Sequence, residues 1–165
     1  MANHPDIPSM LQESLPEMIL VAKYCIEFQK DINFWPAPGC YGYPAALILL
    51  SIADSIGSYV EQGTVENHFK IFKNIDYYGL DFNDKEIKIM GDYYRNTLVH
   101  NIVLTTNIEL AIGSLGDKIL QKNNQRYRLN LVPFYNTSLK AVSTFLNNPQ
   151  ILVNNKTIEN IEKKL

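Results

Sequence analysis

The sequence predicts a mainly α domain: a bundle of four to five helices with a small β-hairpin inserted after the fourth. Three observations carry that expectation. Successive segments place apolar residues at spacings of three and four, the period of an amphipathic helix. Clusters of Gly, Pro and Asn separate those segments. Between residues 108 and 132 the pattern shifts to the period of two that marks a half-buried strand. A chain of 165 residues suits one domain with a single core. That domain is expected over 1–165, with the core bundle at about 14–103 and 133–148 and the hairpin at about 108–132.

The first helix is expected to start at Ser14, where Ser14 and Glu17 form a capping box and Pro16 suits the first turn. Met18, Val21, Ala22, Cys25 and Phe28 give its apolar stripe. Trp35–Gly42 is a loop, and its aromatic residues Trp35, Tyr41 and Tyr43 are expected to cap the core. A second helix from Pro44 to about Gln62 is apolar almost all round through Ala53 and should be the most buried. Thr64 caps a short third helix. Asn83 or Asp84 caps a fourth, reaching about Ile102, with Ile87, Met90, Tyr94, Leu98 and Ile102 toward the core. Ile89 and Val99 fall off that stripe and fit a further packed surface such as a dimer seam. Ile108–Ile112 and Tyr127–Val132 are expected to pair as an antiparallel hairpin ended by Pro133. A fifth helix spans about Tyr135–Asn147, and Lys156–Leu165 a short polar one.

Hydrophobic residues make up 46% of the chain and charged ones 19%, which excludes a disordered polymer. The net charge of −2 supplies no basic field, so RNA binding would need a local patch from Arg95, Lys122, Arg126 and Arg128. The N-terminus lacks the basic start and apolar run of a signal peptide. The run Ala45–Ala53 stops at Asp54, short of the roughly 20 residues that span a bilayer. No membrane association, a cytoplasmic setting and free Cys25 and Cys40 are expected. The abundance of Asn, Ile and Lys suggests an AT-rich bacterial genome. His, Cys and acidic residues show no metal-ligand spacing, and Gly39–Gly42 lacks the Lys-Ser/Thr of a phosphate loop, so no metal and no cofactor is expected. His4 and His68, the latter on a polar helical face, are not expected to be ligands.

The candidate site is Tyr94–Asn101. Arg95 offers a planar fork of donors for a phosphate, and His100 a group that exchanges protons near neutral pH. On an ideal helix these two point about 140° apart, whereas Asn96 and His100 share a face with Tyr93. Arginine's stem must therefore swing across, or a second chain must complete the site. The competing account is a solvated helix face on which Asp92 pairs with Arg95. Asp54, an acid in an apolar helix, needs a partner or solvent. One reading has it facing the fourth helix and holding Arg95 or His100; the other has it reaching solvent beside Ser51, Ser55 and Ser58.

The segment Arg95-Asn96-Thr97-Leu98-Val99-His100 resembles the signature of the HEPN superfamily (higher eukaryotes and prokaryotes nucleotide-binding domains). That signature is an Arg followed directly by a polar residue, with a His four to six residues beyond the Arg, late in a helix. The resemblance covers roughly residues 14–148 and implies an all-α bundle with metal-independent endoribonuclease activity, two chains commonly pairing their motifs. It implies that His100 draws the proton from a ribose 2′-hydroxyl to leave a 2′,3′-cyclic phosphate. It also implies that Arg95 binds the phosphate and Asn96 orients it or His100. Asp54 and Tyr93 are supporting candidates from their positions alone, not from the resemblance. The implied setting is a toxin–antitoxin or phage-defence system, with RNA, a second copy and a cognate antitoxin or other partner protein as partners. The alternative is a non-catalytic interaction or nucleotide-binding module. A third reading is an immunity or scaffold protein whose hairpin edge pairs with another chain.

Overall fold

The chain begins with α1 (Ile7–Glu27), capped by Asp6, whose side chain accepts a hydrogen bond from the Ser9 amide at 2.8 Å. This is a computed structural model, and it describes residues 4–36, 38–96, 98–99, 104, 106–153 and 155–162. α1 starts well before Ser14, so Ser14 and Glu17 are interior residues rather than a capping box. The actual signals lie upstream, in Asp6 and Pro8. Pro16 is carried inside the helix, where it and Gln12, whose carbonyl would have met its missing N–H, are both exposed to water. The added turns set the phase: Leu11, Leu15, Ile19, Ala22 and Ile26 face inward, while Val21 and Phe28 are exposed.

α2 (Gly42–Val60) is the central helix, as its nearly unbroken apolar surface requires. Ala45, Ala46, Leu49, Leu50, Ile52, Ala53 and Ile56 are wholly buried. Among the described residues it is the one helix long and apolar enough to cross a membrane; here α1 and a later helix, α5 (below), pack against it. α3 (Val65–His68) is a single turn that continues as a 3₁₀ turn, Phe69–Phe72, buried by Phe69, Ile71 and Phe72.

α4 (Asp84–Lys88) opens with a capping box in which Asn83 and Glu86 exchange bonds with each other's backbone amides. The expected long helix does continue past Lys88, but not as a regular α-helix. From Ile89 to Asn96 the backbone widens into a π-helix. The extra residue per turn brings Ile89 as well as Met90 and Tyr94 into the core, so Ile89 is not part of an outward seam. Leu98 is also buried, and Val99 is exposed.

Three strands follow: β1 (Ile108–Ala111), β2 (Leu120–Asn123) and β3 (Arg126–Asn130), in the order β1-β3-β2. β1 pairs with β3 in parallel, Leu110 opposite Leu129, and β2 pairs with β3 antiparallel, Leu120 opposite Leu129. The two-residue turn between β2 and β3 places Asn124 at φ +55°, a conformation asparagine tolerates. α5 (Leu131–Leu146) begins directly at the end of β3 and packs on α1 and α2. Pro133 lies in its first turn, where its missing N–H removes no helical bond, so it does not terminate the strand. A 3₁₀ turn (Pro149–Leu152) and α6 (Lys156–Glu162) close the described chain, with Asn155 donating to the Tyr59 carbonyl at 2.8 Å.

The expected fold is corrected by this arrangement. Among the described residues only α1, α2 and α5 exceed ten residues, and the β residues form a mixed three-stranded sheet rather than an inserted hairpin. The described residues form a group of helices with this small sheet and do not show a HEPN fold.

Candidate functional site

Asp54 sits where the apolar run of α2 ends, with its side chain 18% exposed. Gly57, one turn further on, lets α3 approach closely: a Cβ there would lie 2.1 Å from the carbonyl oxygen of His68. That approach brings the His68 Nδ1 to 2.8 Å from Asp54 Oδ1. The other carboxylate oxygen, Oδ2, lies 3.2 Å from Nη2 of Arg95, on the π turn. Arg95 Nη1 donates to Asn96 Oδ1 at 3.1 Å. One carboxylate thus joins three elements, and a carboxylate this enclosed is stable only when so paired.

The position of Arg95 depends on how the π turn is anchored. Tyr94 is wholly buried, and its hydroxyl lies 3.2 Å from the backbone carbonyls of both Glu109 and Tyr127, to which it donates. It therefore ties the turn to the parallel pair β1 and β3. Burial, and after it the nearby Glu109 carboxylate, holds this phenol well above its ordinary range, so it stays a donor.

Arg95 and Asn96 border a cleft of about 550 Å³ between α3 with its 3₁₀ extension and α4 with the π turn. Lys70, Lys88 and Arg95 on its walls are balanced by Glu66, Asp84 and Asp92. Asp92 is 3.9 Å from Lys88. Arg95 is held instead by Asp54, across elements rather than along its own helix. The remaining basic candidates, Lys122, Arg126 and Arg128, lie on the paired strands β2 and β3 and do not line this cleft: Arg128 pairs with Glu109 at 2.7 Å and Lys122 lies over the Tyr127 ring at 6.0 Å.

The structure thus brings Arg95, Asn96 and Asp54 together. His100 and the side chain of Tyr93 lie outside the described residues. The ideal-helix angle between Arg95 and His100 no longer applies, because the π turn changes the phase up to Asn96. His68 is the residue set aside from sequence that the fold carries into the cluster. The available signal was the shared face of Asp54 and Gly57, an acid needing a partner beside a residue permitting close approach, but neither says which side chain arrives.

Chemically, the guanidinium offers five N–H donors, and among the described residues it donates one to Asn96 and pairs through Nη2 with Asp54. A histidine that donates Nδ1–H to a carboxylate has its tautomer fixed and exchanges protons through Nε2. Among the described residues no group of three His, Cys, Asp or Glu converges as a metal site.

No protein-family model, no curated protein sequence and no solved structure matches this chain.

Proposed function

We propose that the protein is a metal-independent endoribonuclease. The observation that carries this reading is the Arg95 guanidinium, held at the border of a cleft by Asp54 and Asn96, with a fork of donors that suits a phosphate. The resemblance of Arg95–His100 to the HEPN signature, which includes the same arginine and asparagine, agrees with it. In this reading Arg95 binds the scissile phosphate and neutralises the charge that develops there. Asn96 fixes the guanidinium, and Asp54 locks it against α2. His100 takes the proton of the ribose 2′-hydroxyl, whose oxygen attacks the phosphorus and leaves a 2′,3′-cyclic phosphate and a 5′-hydroxyl. A homodimer acting in the cytoplasm of a bacterium, in a toxin–antitoxin or phage-defence setting with a cognate partner protein, completes the proposal.

The balanced charge of the cleft favours a second reading, a non-catalytic interaction module that binds without cleaving. Cleavage of a mixed RNA pool with metals chelated separates the two. Wild type is expected to produce cyclic phosphate ends, with Arg95→Ala and His100→Ala each slower by about 10²–10⁴-fold. Undiminished cleavage by His100→Ala removes that residue as the base, and RNA binding without cleavage by wild type selects the second reading.

A further inference from the structure

His68 is the proton-exchanging group at this site that the proposed reaction leaves unused. We propose that His68 is the general acid of the same site, giving its Nε2 proton to the departing 5′-oxygen of the RNA. This rests on the ribonuclease reading and extends it with a second proton-transfer residue.

Geometry is the first support. Opposite oxygens of one carboxylate hold the His68 ring at 2.8 Å and the Arg95 guanidinium at 3.2 Å. Arg95 borders the cleft whose facing wall carries Phe69 and Lys70, the residues that follow His68, so a phosphate gripped there would lie across from the turn that carries the imidazole. Orientation is the second. With Nδ1 bound to Asp54, Nε2 is the nitrogen through which a proton passes. Rigidity and access are the third. Phe69, Ile71 and Phe72 anchor the backbone after His68, and Gly57 seats its carbonyl against α2. The His68, Asp54 and Arg95 side chains nevertheless retain 15%, 18% and 26% exposure, so the cluster is not sealed from solvent.

The step balances without a further reactant. The base removes the 2′-hydroxyl proton, and the 2′-oxygen forms a bond to phosphorus. The bond from phosphorus to the 5′-oxygen breaks, and its electron pair goes to that oxygen. The His68 imidazolium delivers its Nε2 proton there, while the Nδ1 proton stays on the hydrogen bond to Asp54.

Two substrates test it in the full chain: an RNA oligonucleotide, and the same oligonucleotide with sulfur replacing the scissile 5′-oxygen. A thiolate leaves without being protonated. The variant is His68→Gln, whose amide remains a polar hydrogen-bonding group but transfers no proton. On the oxygen substrate it is expected to lose about 10²–10⁴-fold in kcat with KM unchanged. On the sulfur substrate it is expected to recover most of that loss, whereas His100→Ala stays slow on both. A misfolded variant would not be rescued. Wild-type rates for His68→Gln on the oxygen substrate, or an equal loss on both substrates, overturn the role of His68 alone. Failure of wild type on both overturns the ribonuclease reading and this inference with it.

Discussion

A single carboxylate that holds two basic side chains carries more than either pair separately. Removing Asp54 strands an imidazole and a guanidinium, neither more than about a quarter exposed. Asp54→Ala is therefore expected to lower the unfolding free energy by about 2–3 kcal/mol in chemical denaturation. Arg95→Ala should cost less, because Asp54 keeps His68. A double-mutant cycle between Asp54 and Arg95 is expected to give a coupling of about 0.5–3 kcal/mol; a value near zero would show that the 3.2 Å contact does not hold Arg95 in solution. Asp54 was legible in the sequence because an acid ending an apolar helical run demands a partner. His68 was not, because its contact is made fourteen residues away and is set by how closely α3 crosses Gly57. Periodicity along one helix carries no information about that crossing.

At the scale of elements, the π turn and the sheet are one device. The Tyr94 hydroxyl joins Ile89–Asn96 to β1 and β3, which are neighbours only because of their parallel pairing. Tyr94→Phe keeps the ring but leaves two carbonyls without that donor. A loss of about 1–2 kcal/mol is expected, with faster amide hydrogen exchange concentrated in Ile108–Ala111 and Arg126–Asn130. Unchanged exchange there would show that the strands hold the turn rather than the reverse. Gly57→Ala tests the other wall. Its Cβ would sit 2.1 Å from a backbone oxygen, so α2 and α3 must part, at about 1–3 kcal/mol or more. The His68–Asp54 contact is then expected to break, seen as loss of the low-field proton resonance of a carboxylate-bound imidazole. The apolar face was legible where it is nearly unbroken, since α2 and its buried residues follow from pattern alone, but not in the longer α1, where the stripe predicts Val21 and Phe28 inward and Leu15, Ile19 and Ile26 are buried instead. β2 was missed because Leu120–Asn123 carries a single apolar residue and no β-branched one, and runs into Asn124, so it reads as part of the turn. Once β2 is overlooked, β1 is the only partner left for β3, and an antiparallel hairpin is the wrong conclusion that follows.

The whole molecule is closed by phenols as well as by apolar packing. Tyr78 is buried against Ser138, with its hydroxyl 3.2 Å from the serine oxygen, and Tyr94 bridges the strands. Burial raises the ionisation of both far above the ordinary phenol value of 10.0. The sign of the consequence follows from proton counting. Above about pH 10 the unfolded chain releases these protons and the folded chain keeps them, so the unfolded state binds fewer protons and stability falls as pH rises. Below pH 10 both states are protonated and the stabilisation is fully present. Each phenol contributes a slope of about 1.4 kcal/mol per pH unit, and the two together roughly 3. A fold of ordinary stability, about 5–15 kcal/mol, is then expected to unfold within a few units above pH 10. The check is an alkaline titration that follows tyrosinate absorbance and helical circular dichroism together. The chain has ten tyrosines. The exposed ones, such as Tyr24, should ionise first without loss of helix, Tyr59 and Tyr77, which burial also raises, later, and Tyr78 and Tyr94 only in step with unfolding. In Tyr78→Phe the unfolding should move to higher pH, because one proton fewer is released. Ionisation of all ten with the helical signal intact would contradict the buried placement of both phenols, and with it the anchoring of the π turn that positions Arg95.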